Sequence, residues 1–192
     1  VHSYGGLVFH DVIKKRHAEK AIEAGVDGII AVTAGAGGHA GTANPFALVD
    51  EFRSFWDGAL VLAGSINSGK DILAAEIMGA DFAYMGTRFI ATQESMASDA
   101  YKQMITHAGI DDILYTKGVS GVHANFLKPS IERSGIDLSH EKEEDFSELT
   151  ASNSKAWKDI WSAGHGVAGI HSIPTVNVCV EQLKTDYKMH LE

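Results

Sequence analysis

A glycine-rich segment with one titratable side chain is the first part of the sequence that could do chemistry. Residues 35–41 contain four glycines around His39, shortly after an apolar run that ends at Val32. Glycines let backbone N–H groups approach a flat or anionic ligand closely, and an imidazole can accept or donate a proton near neutral pH. The segment alone fits a solvated turn equally well, so it does not identify a site by itself.

Two further glycine-containing loops follow the next two apolar runs. Gly64 and Ser65 come directly after the first run, and Gly86 and Thr87 come directly after the second. One complete strand–helix unit separates the loops, so in a parallel sheet they lie side by side at the carboxyl edge. The glycines would admit a phosphate there, and the amides and hydroxyls would donate hydrogen bonds to it. Together with His39, these loops favour a ligand site over ordinary strand-ending turns.

The elements that must position these loops alternate regularly between apolar runs and helical patterns. Four apolar runs predict buried strands, near Leu7, Ile29, Val61 and Phe82. Helices are expected over 13–24, 46–55, 69–78 and 95–107. This order predicts an α/β fold with parallel strands and right-handed crossovers. We expect about four strand–helix units in a sheet that is open at both ends, because a closed (β/α)₈ barrel takes eight strands and typically ~250 residues.

The alternation ends near residue 115, which divides the chain into two predicted parts. Residues 1–115 are expected to form the strand–helix units that carry the ligand site. Residues 116–192 are expected to form an irregular and helical extension that packs on them. An extended segment is expected over residues 111–117, at the boundary between the two parts. Within the second part, helices are expected over 154–163 and, at the C-terminus, over 176–189.

Composition and charge narrow the classes of protein and partner. The chain has 192 residues, of which 45% are hydrophobic and 21% charged, as in ordinary globular domains. A formal net charge of -9 at pH 7 disfavours nucleic acids and anionic membranes as partners. No apolar run reaches the ~18 residues of a membrane-spanning helix. The single cysteine, Cys179, excludes an internal disulfide, so a reducing cytoplasm is the expected location.

The remaining polar residues do not predict a second site. His165 and His171 are six residues apart, and neither lies at zinc-ligand spacing from a cysteine or carboxylate, so no metal is expected. We expect these histidines to face water or to flank the ligand site. Tyr101 and Lys102 are expected on a helix surface without a role, and Cys179 is expected to be buried and inert.

The residues around the three loops resemble the nitronate monooxygenase family, also called 2-nitropropane dioxygenases. The resemblance rests on AGAGGHAG (34–41), AGSI (63–66) and MGTRFIAT (85–92), and it runs from about residue 5 to 115. The tail from 157 to 187 is also similar to these proteins. The resemblance implies an FMN-dependent TIM barrel, of which this chain resembles the C-terminal part only. With the four strands counted above, we therefore expect an incomplete TIM-type barrel of about four units, followed by a C-terminal helical extension.

The resemblance also implies an activity and roles for individual residues. Members of the family oxidise alkyl nitronates with molecular oxygen to a carbonyl compound and nitrite. His39 corresponds to the active-site histidine near the substrate nitro group. The implied FMN contacts lie in the three loops and at the end of the last strand: Gly37, Gly38, Gly64, Ser65, Tyr84, Met85, Gly86 and Thr87.

Departures from the family pattern leave alternatives open. Many members have Gln at the position of Val32 and Glu at that of Gly35, and the family's N-terminal part has no counterpart here. One alternative is an FMN-dependent NAD(P)H oxidoreductase of the enoyl-acyl-carrier-protein reductase or quinone reductase type, which shares these loops. Another is a flavin-free, inactive fragment. The open sheet edges are expected to pair either with residues preceding this chain or with a second copy in a homodimer.

Overall fold

The structure is a computed structural model, and it describes residues 1–136, 138 and 159–192. Most of the predicted helix over 154–163 lies outside the described residues. The strands are β1 (Phe9–Val12), β2 (Gly28–Val32), β3 (Gly38–His39), β4 (Ala59–Ala63), β5 (Phe82–Tyr84), β6 (Ile113–Thr116) and β7 (Ala124–Leu127). The α-helices are α1 (Lys15–Glu23), α2 (Pro45–Arg53), α3 (Gly69–Ile77), α4 (Thr87–Ile90), α5 (Asp99–His107), α6 (Lys128–Ser134) and α7 (Val176–Leu191).

A four-stranded parallel sheet in the order β1-β2-β4-β5 confirms the predicted α/β architecture. The sheet is open at both ends, and the described residues form no closed barrel. The first strand begins at Phe9 and not at Leu7, whose side chain is 69% exposed. β1 also contains His10 and Asp11, which an edge strand tolerates because one side of it faces solvent.

The main core lies between the sheet and the helices α1 to α3. Its large buried side chains include Ile29 and Leu60 from the sheet and Phe52 from α2. Local caps fix where the helices begin. The Ser68 side chain and Asp71 form a capping box at α3, and the Ser98 side chain caps α5, which therefore starts later than the predicted residue 95.

A second, antiparallel sheet in the order β3-β7-β6 was not predicted. The loop expected from residue 34 to 45 contains β3, and the segment from 118 to 136, expected to be irregular, contains β7 and α6. A strand of two residues has no alternating pattern, so the sequence could not reveal β3. The extended segment expected around 111–117 is confirmed as β6.

The C-terminal helix is confirmed as α7, and it packs closely on α3. Gly69 makes this approach possible, because a Cβ there would lie 2.2 Å from both the Leu183 carbonyl oxygen and the Tyr187 backbone nitrogen. The division of the chain at residue 115 stays a prediction.

Candidate functional site

A cavity of about 230 Å³ opens at the carboxyl edge of the parallel sheet, beside the ends of β2, β4 and β5. Eight of the nine site residues expected from the sequence line it: Gly37, Gly38, His39, Gly64, Ser65, Tyr84, Gly86 and Thr87. The ninth, Met85, packs against the main core and is absent from the lining. The structure therefore brings the three glycine-containing loops to one place.

The fold requires glycine at residue 64 but not at residue 86. Gly64 has a φ of +131°, and a Cβ there would lie 2.3 Å from Thr33 Oγ1, so the fold itself requires glycine. Gly86 has an ordinary φ of -106°, and a Cβ there would meet no atom within 4 Å. Neither backbone nor packing demands glycine at Gly86, which leaves an open space in the cavity wall where a ligand could contact the backbone.

The two hydroxyl residues of these loops are held in defined positions. Ser65 has a φ of +60°, in the left-handed region that a non-glycine residue seldom adopts, and its N–H donates to the Gly35 carbonyl oxygen at 3.3 Å. Thr87 Oγ1 accepts a hydrogen bond from the Gly164 N–H at 3.0 Å. That bond uses an oxygen lone pair, so the Thr87 hydroxyl proton can still donate to a ligand.

His39 is exposed on the cavity side of a closed loop. The Ala34 N–H donates to the Ala43 carbonyl oxygen at 2.9 Å and closes the loop at its base. Within the loop, β3 pairs with β7, with His39 opposite Ala124. The glycine-rich segment, for which the sequence left a solvated turn open, is therefore tied into a sheet.

A segment far along the chain, residues 161–166, completes the cavity. For this segment the sequence analysis predicted only that His165 faces water or flanks the ligand site, and it missed the residues that line the cavity. Ser162, Gly164 and Gly166 line the cavity, and the His165 N–H donates to the Gly35 carbonyl oxygen at 2.9 Å. The backbone contact is close, since a Cβ on Gly164 would lie 2.3 Å from that same oxygen. The signal that could have found this segment is its glycine-rich composition between 164 and 169.

The expectation that Tyr101 and Lys102 lie on a helix surface is wrong. Tyr101 lines the cavity, its ring stacks on Trp161 at 4.9 Å, and its hydroxyl donates to the Ser162 carbonyl oxygen. Burial raises the pKa of Tyr101 to about 12, so the phenol is neutral at physiological pH. Lys102 is buried, with its Nζ donating to the Gln93 carbonyl oxygen at 3.1 Å. The available signal was Ile105, four residues on, which lies on the same buried helix face.

The cavity wall contains little fixed charge. Besides His39 and the two tyrosines, its one ionisable side chain among the described residues is Asp11, which the sequence analysis also missed. No lysine or arginine of the described part lines the cavity. A bound phosphate would therefore be held by backbone N–H groups and hydroxyls instead of by a basic side chain.

Gly35 explains why this chain departs from the family pattern at that position. A Cβ there would lie 2.3 Å from Ser65 Oγ and 2.9 Å from His165 Nδ1, and the residue has a φ of +86°. A glutamate, which the family resemblance places at this position, would not fit this loop conformation. Val32, the other departure, is a buried apolar part of the cavity wall.

Two other kinds of site are absent from the described residues. No group of three or more His, Cys, Asp or Glu side chains there is placed to hold a metal ion. In the same part of the chain, no helix combines the length and the apolar character needed to span a bilayer. His165 lies beside Gly35 at the cavity, whereas His171 is exposed in a separate depression.

The chain is similar to a known protein family and to individual members of related families. The model of the nitronate monooxygenase family matches residues 5–186. A probable nitronate monooxygenase of Staphylococcus haemolyticus is 27% identical over 185 residues, covering 84% of this chain and 52% of that protein. A 5-hydroxy-7a-methyl-1-oxo-octahydro-1H-indene-4-carboxyl-CoA dehydrogenase of Rhodococcus jostii is 31% identical over 135 residues, covering 68% and 38%.

Solved structures show the same relationship. A nitroalkane oxidase from Streptomyces ansochromogenes matches with a TM-score of 0.83 and 26% identity, covering 98% of this chain and 59% of that one. A variant of FabK from Thermotoga maritima matches with a TM-score of 0.81 and 26% identity, covering 99% and 62%. The fold is thus of the TIM-barrel type, and this chain spans 38% to 62% of the length of these four relatives.

Proposed function

Because this chain belongs to the nitronate monooxygenase family, we propose that it is part of an FMN-dependent oxidoreductase. The proposed reaction oxidises alkyl nitronates with molecular oxygen to a carbonyl compound and nitrite. Two relatives support this substrate class, the probable nitronate monooxygenase of S. haemolyticus and the nitroalkane oxidase of S. ansochromogenes.

The open space beside Gly86 is the observation that carries the proposal. The fold does not require glycine at residue 86, because its φ is ordinary and a Cβ there would meet no atom. A phosphate that contacts the backbone at this position would need the space that a side chain would fill. The neighbouring Ser65 and Thr87 provide hydroxyl donors, and Gly64 completes the loop on the adjacent strand. These residues would hold the FMN phosphate, and bound FMN would supply the redox chemistry.

His39 is proposed to act as a proton acceptor or as a hydrogen-bond donor to the nitro group of the substrate. It lines the cavity at the carboxyl edge of the sheet, where an imidazole can accept a proton from carbon or donate to a nitro oxygen. Gly37, Gly38, Tyr84 and the Met85 backbone are proposed as further cofactor contacts. Tyr101 adds an uncharged polar group to the cavity wall.

A visible absorption spectrum of the purified chain, recorded after incubation with FMN and removal of free flavin by gel filtration, tests the cofactor assignment first, because flavin that stays with the protein absorbs at about 450 nm. Anaerobic mixing then tests the reaction. A flavin that is reduced by an alkyl nitronate and not by NADH or NADPH supports the proposal. A chain that binds no flavin contradicts it and favours the inactive fragment.

A second candidate is an FMN-dependent NAD(P)H oxidoreductase. The likeness to FabK and to the CoA dehydrogenase of R. jostii favours it, since the two matches cover 99% and 68% of this chain. Rapid bleaching of the flavin by NADH or NADPH in the absence of oxygen is the result that would select this candidate.

The proposal includes partners and location. The substrates are a small nitronate and oxygen, and the open edges at β1 and β5 pair either with residues outside this chain or with a second copy. Light scattering on the purified chain separates the two, because a homodimer has twice the 20.6 kDa mass. The cytoplasmic location expected from the single cysteine remains part of the proposal.

A further inference from the structure

The hairpin of β6 and β7 forms hydrogen bonds with the His39 loop (residues 34–43) on both sides of the histidine. Strand β7 pairs with the loop directly, with Gly38 opposite Asn125 and His39 opposite Ala124. Two side chains of the hairpin then bond to the loop backbone, one before His39 and one after it. The hairpin therefore holds four residues of the loop, 36 and 38–40.

Asn125 holds the part of the loop that precedes His39. Its side chain is 2% exposed, and its Nδ2 donates to the Ala36 carbonyl oxygen at 2.7 Å. Ala36 is buried too, so water has little access to this carbonyl. A buried carbonyl without its donor is costly, which makes the Asn125 amide a strong determinant of the backbone at Ala36.

Tyr115 holds the part of the loop that follows His39. Its hydroxyl donates to the Ala40 carbonyl oxygen at 3.1 Å. The ring is stacked on His123 with a centroid separation of 5.0 Å, which restrains the direction of the hydroxyl. Tyr115 is opposite Asn125 in the hairpin, so both side chains leave the same face of the sheet toward the loop.

We propose that Asn125 and Tyr115 are positioning residues that set the orientation of His39 in the cavity. The loop contains left-handed glycines, Gly35 with a φ of +86° and Gly38 with a φ of +73°, which give the backbone many alternatives. The hairpin removes that freedom before substrate binds, and a catalytic group gains rate from being held in place. The catalytic consequence rests on the role proposed above for His39, while the orientation itself does not.

Three variants test this inference. Tyr115→Phe removes one hydroxyl and keeps the ring stacked on His123, so it should fold. Asn125→Asp keeps the size of the side chain and replaces the donor to Ala36 with an acceptor. Tyr187→Phe is the matched control, because it removes a phenol hydrogen bond to Glu76 between α7 and α3, away from the cavity.

The first measurement is the ¹H–¹³C NMR signal of the His39 ring, assigned by its loss in His39→Asn. We expect the signal to shift or broaden in Tyr115→Phe and Asn125→Asp and to stay in place in Tyr187→Phe. An unchanged signal in Tyr115→Phe would overturn the inference. This readout needs no turnover, so it decides the matter even if the chain proves inactive towards nitronates.

The second measurement separates positioning from a general structural role. We expect kcat for the nitronate to fall roughly 10-fold or more in Tyr115→Phe, as when a reacting group is misplaced. The KM and the Kd for FMN should stay within about 2-fold, because the phosphate loops are untouched. Parallel losses in kcat and FMN affinity would show that the hairpin supports the whole cavity, and would contradict a specific effect on His39.

Discussion

At the scale of single residues, Gly86 gives the sharpest test of the phosphate site. Gly86→Val should raise the Kd for FMN at least ~10-fold, because the branched side chain enters the open space that the phosphate would occupy. Gly109→Val is the matched control, since Gly109 has a similar φ of -104° and its Cβ would have a nearest neighbour at 3.9 Å. Flavin titration of both variants is the measurement, and equal affinities would place the phosphate elsewhere.

His39 is the residue for which a rate effect is expected without an effect on cofactor. His39→Asn should lower nitronate turnover by roughly 10²- to 10⁴-fold, the usual cost of losing a positioned acid–base group. Flavin content should stay the same, because the phosphate loops are separate from His39. His171→Asn, in an exposed position outside the cavity, serves as the control. Full activity in His39→Asn would refute the assigned role.

Tyr101 predicts a specific dependence of stability on alkaline pH. Its pKa rises from 10.0 to about 12 because burial disfavours the phenolate. In the unfolded chain the phenol ionises at lower pH, so its contribution to stability is complete below pH ~10 and is lost as the pH rises to ~12.

The measurement for Tyr101 compares denaturant unfolding of the parent and Tyr101→Phe at pH 8 and near pH 12. The free energy of unfolding of the parent should fall relative to the variant by ~2 kcal/mol across this range. A constant difference between the two proteins would contradict the assigned burial of the phenol.

At the scale of elements, the packing of α7 on α3 depends on the missing side chain of Gly69. Gly69→Ala would place a methyl group 2.2 Å from the backbone of α7, so the helices must separate. We expect a loss of ~1–3 kcal/mol in the free energy of unfolding, as is typical of overpacking. Chemical denaturation measures it, and Gly109→Ala is the control. A variant as stable as the parent would show that α7 is loosely attached.

Elements with long apolar runs could be predicted from the sequence, and short or non-local ones could not. β2 and β4 are each five residues long and almost wholly apolar, and both contain the positions predicted for them, Ile29 and Val61. β1 was shifted because an edge strand does not need a continuous apolar run. β3 owes its existence to pairing with β7, more than 80 residues away, and no local pattern encodes that contact.

The site followed the same division. The loops that carry Gly64 and Gly86 were predicted because each directly follows a recognisable strand. Ser162 and Gly164 were missed because their segment reaches the cavity only through tertiary contacts, such as the bond from the Gly164 N–H to Thr87. Tyr101 was missed because its polar sequence neighbours suggested that this face of α5 is exposed to solvent. In the structure, Tyr101 lines the cavity.

At the scale of the whole molecule, an open sheet determines what the chain can do alone. Four parallel strands are half of the eight that close a TIM barrel, and apolar side chains such as Phe82 and Tyr84 on β5 are 59% exposed. The carboxyl edge nevertheless contains the His39 loop and both phosphate loops in one cavity. The residues proposed to anchor the cofactor are therefore brought together by four strands alone.

The most direct test of the central claim is a titration of the purified chain with FMN and, separately, with riboflavin, which lacks the phosphate. If Gly64, Ser65, Gly86 and Thr87 hold the phosphate, FMN should bind at least ~10-fold more tightly than riboflavin, a difference of ~1.4 kcal/mol. That difference should disappear in Gly86→Val and persist in Gly109→Val. Equal affinities for the two flavins in the parent chain, or no binding of either, would contradict the account.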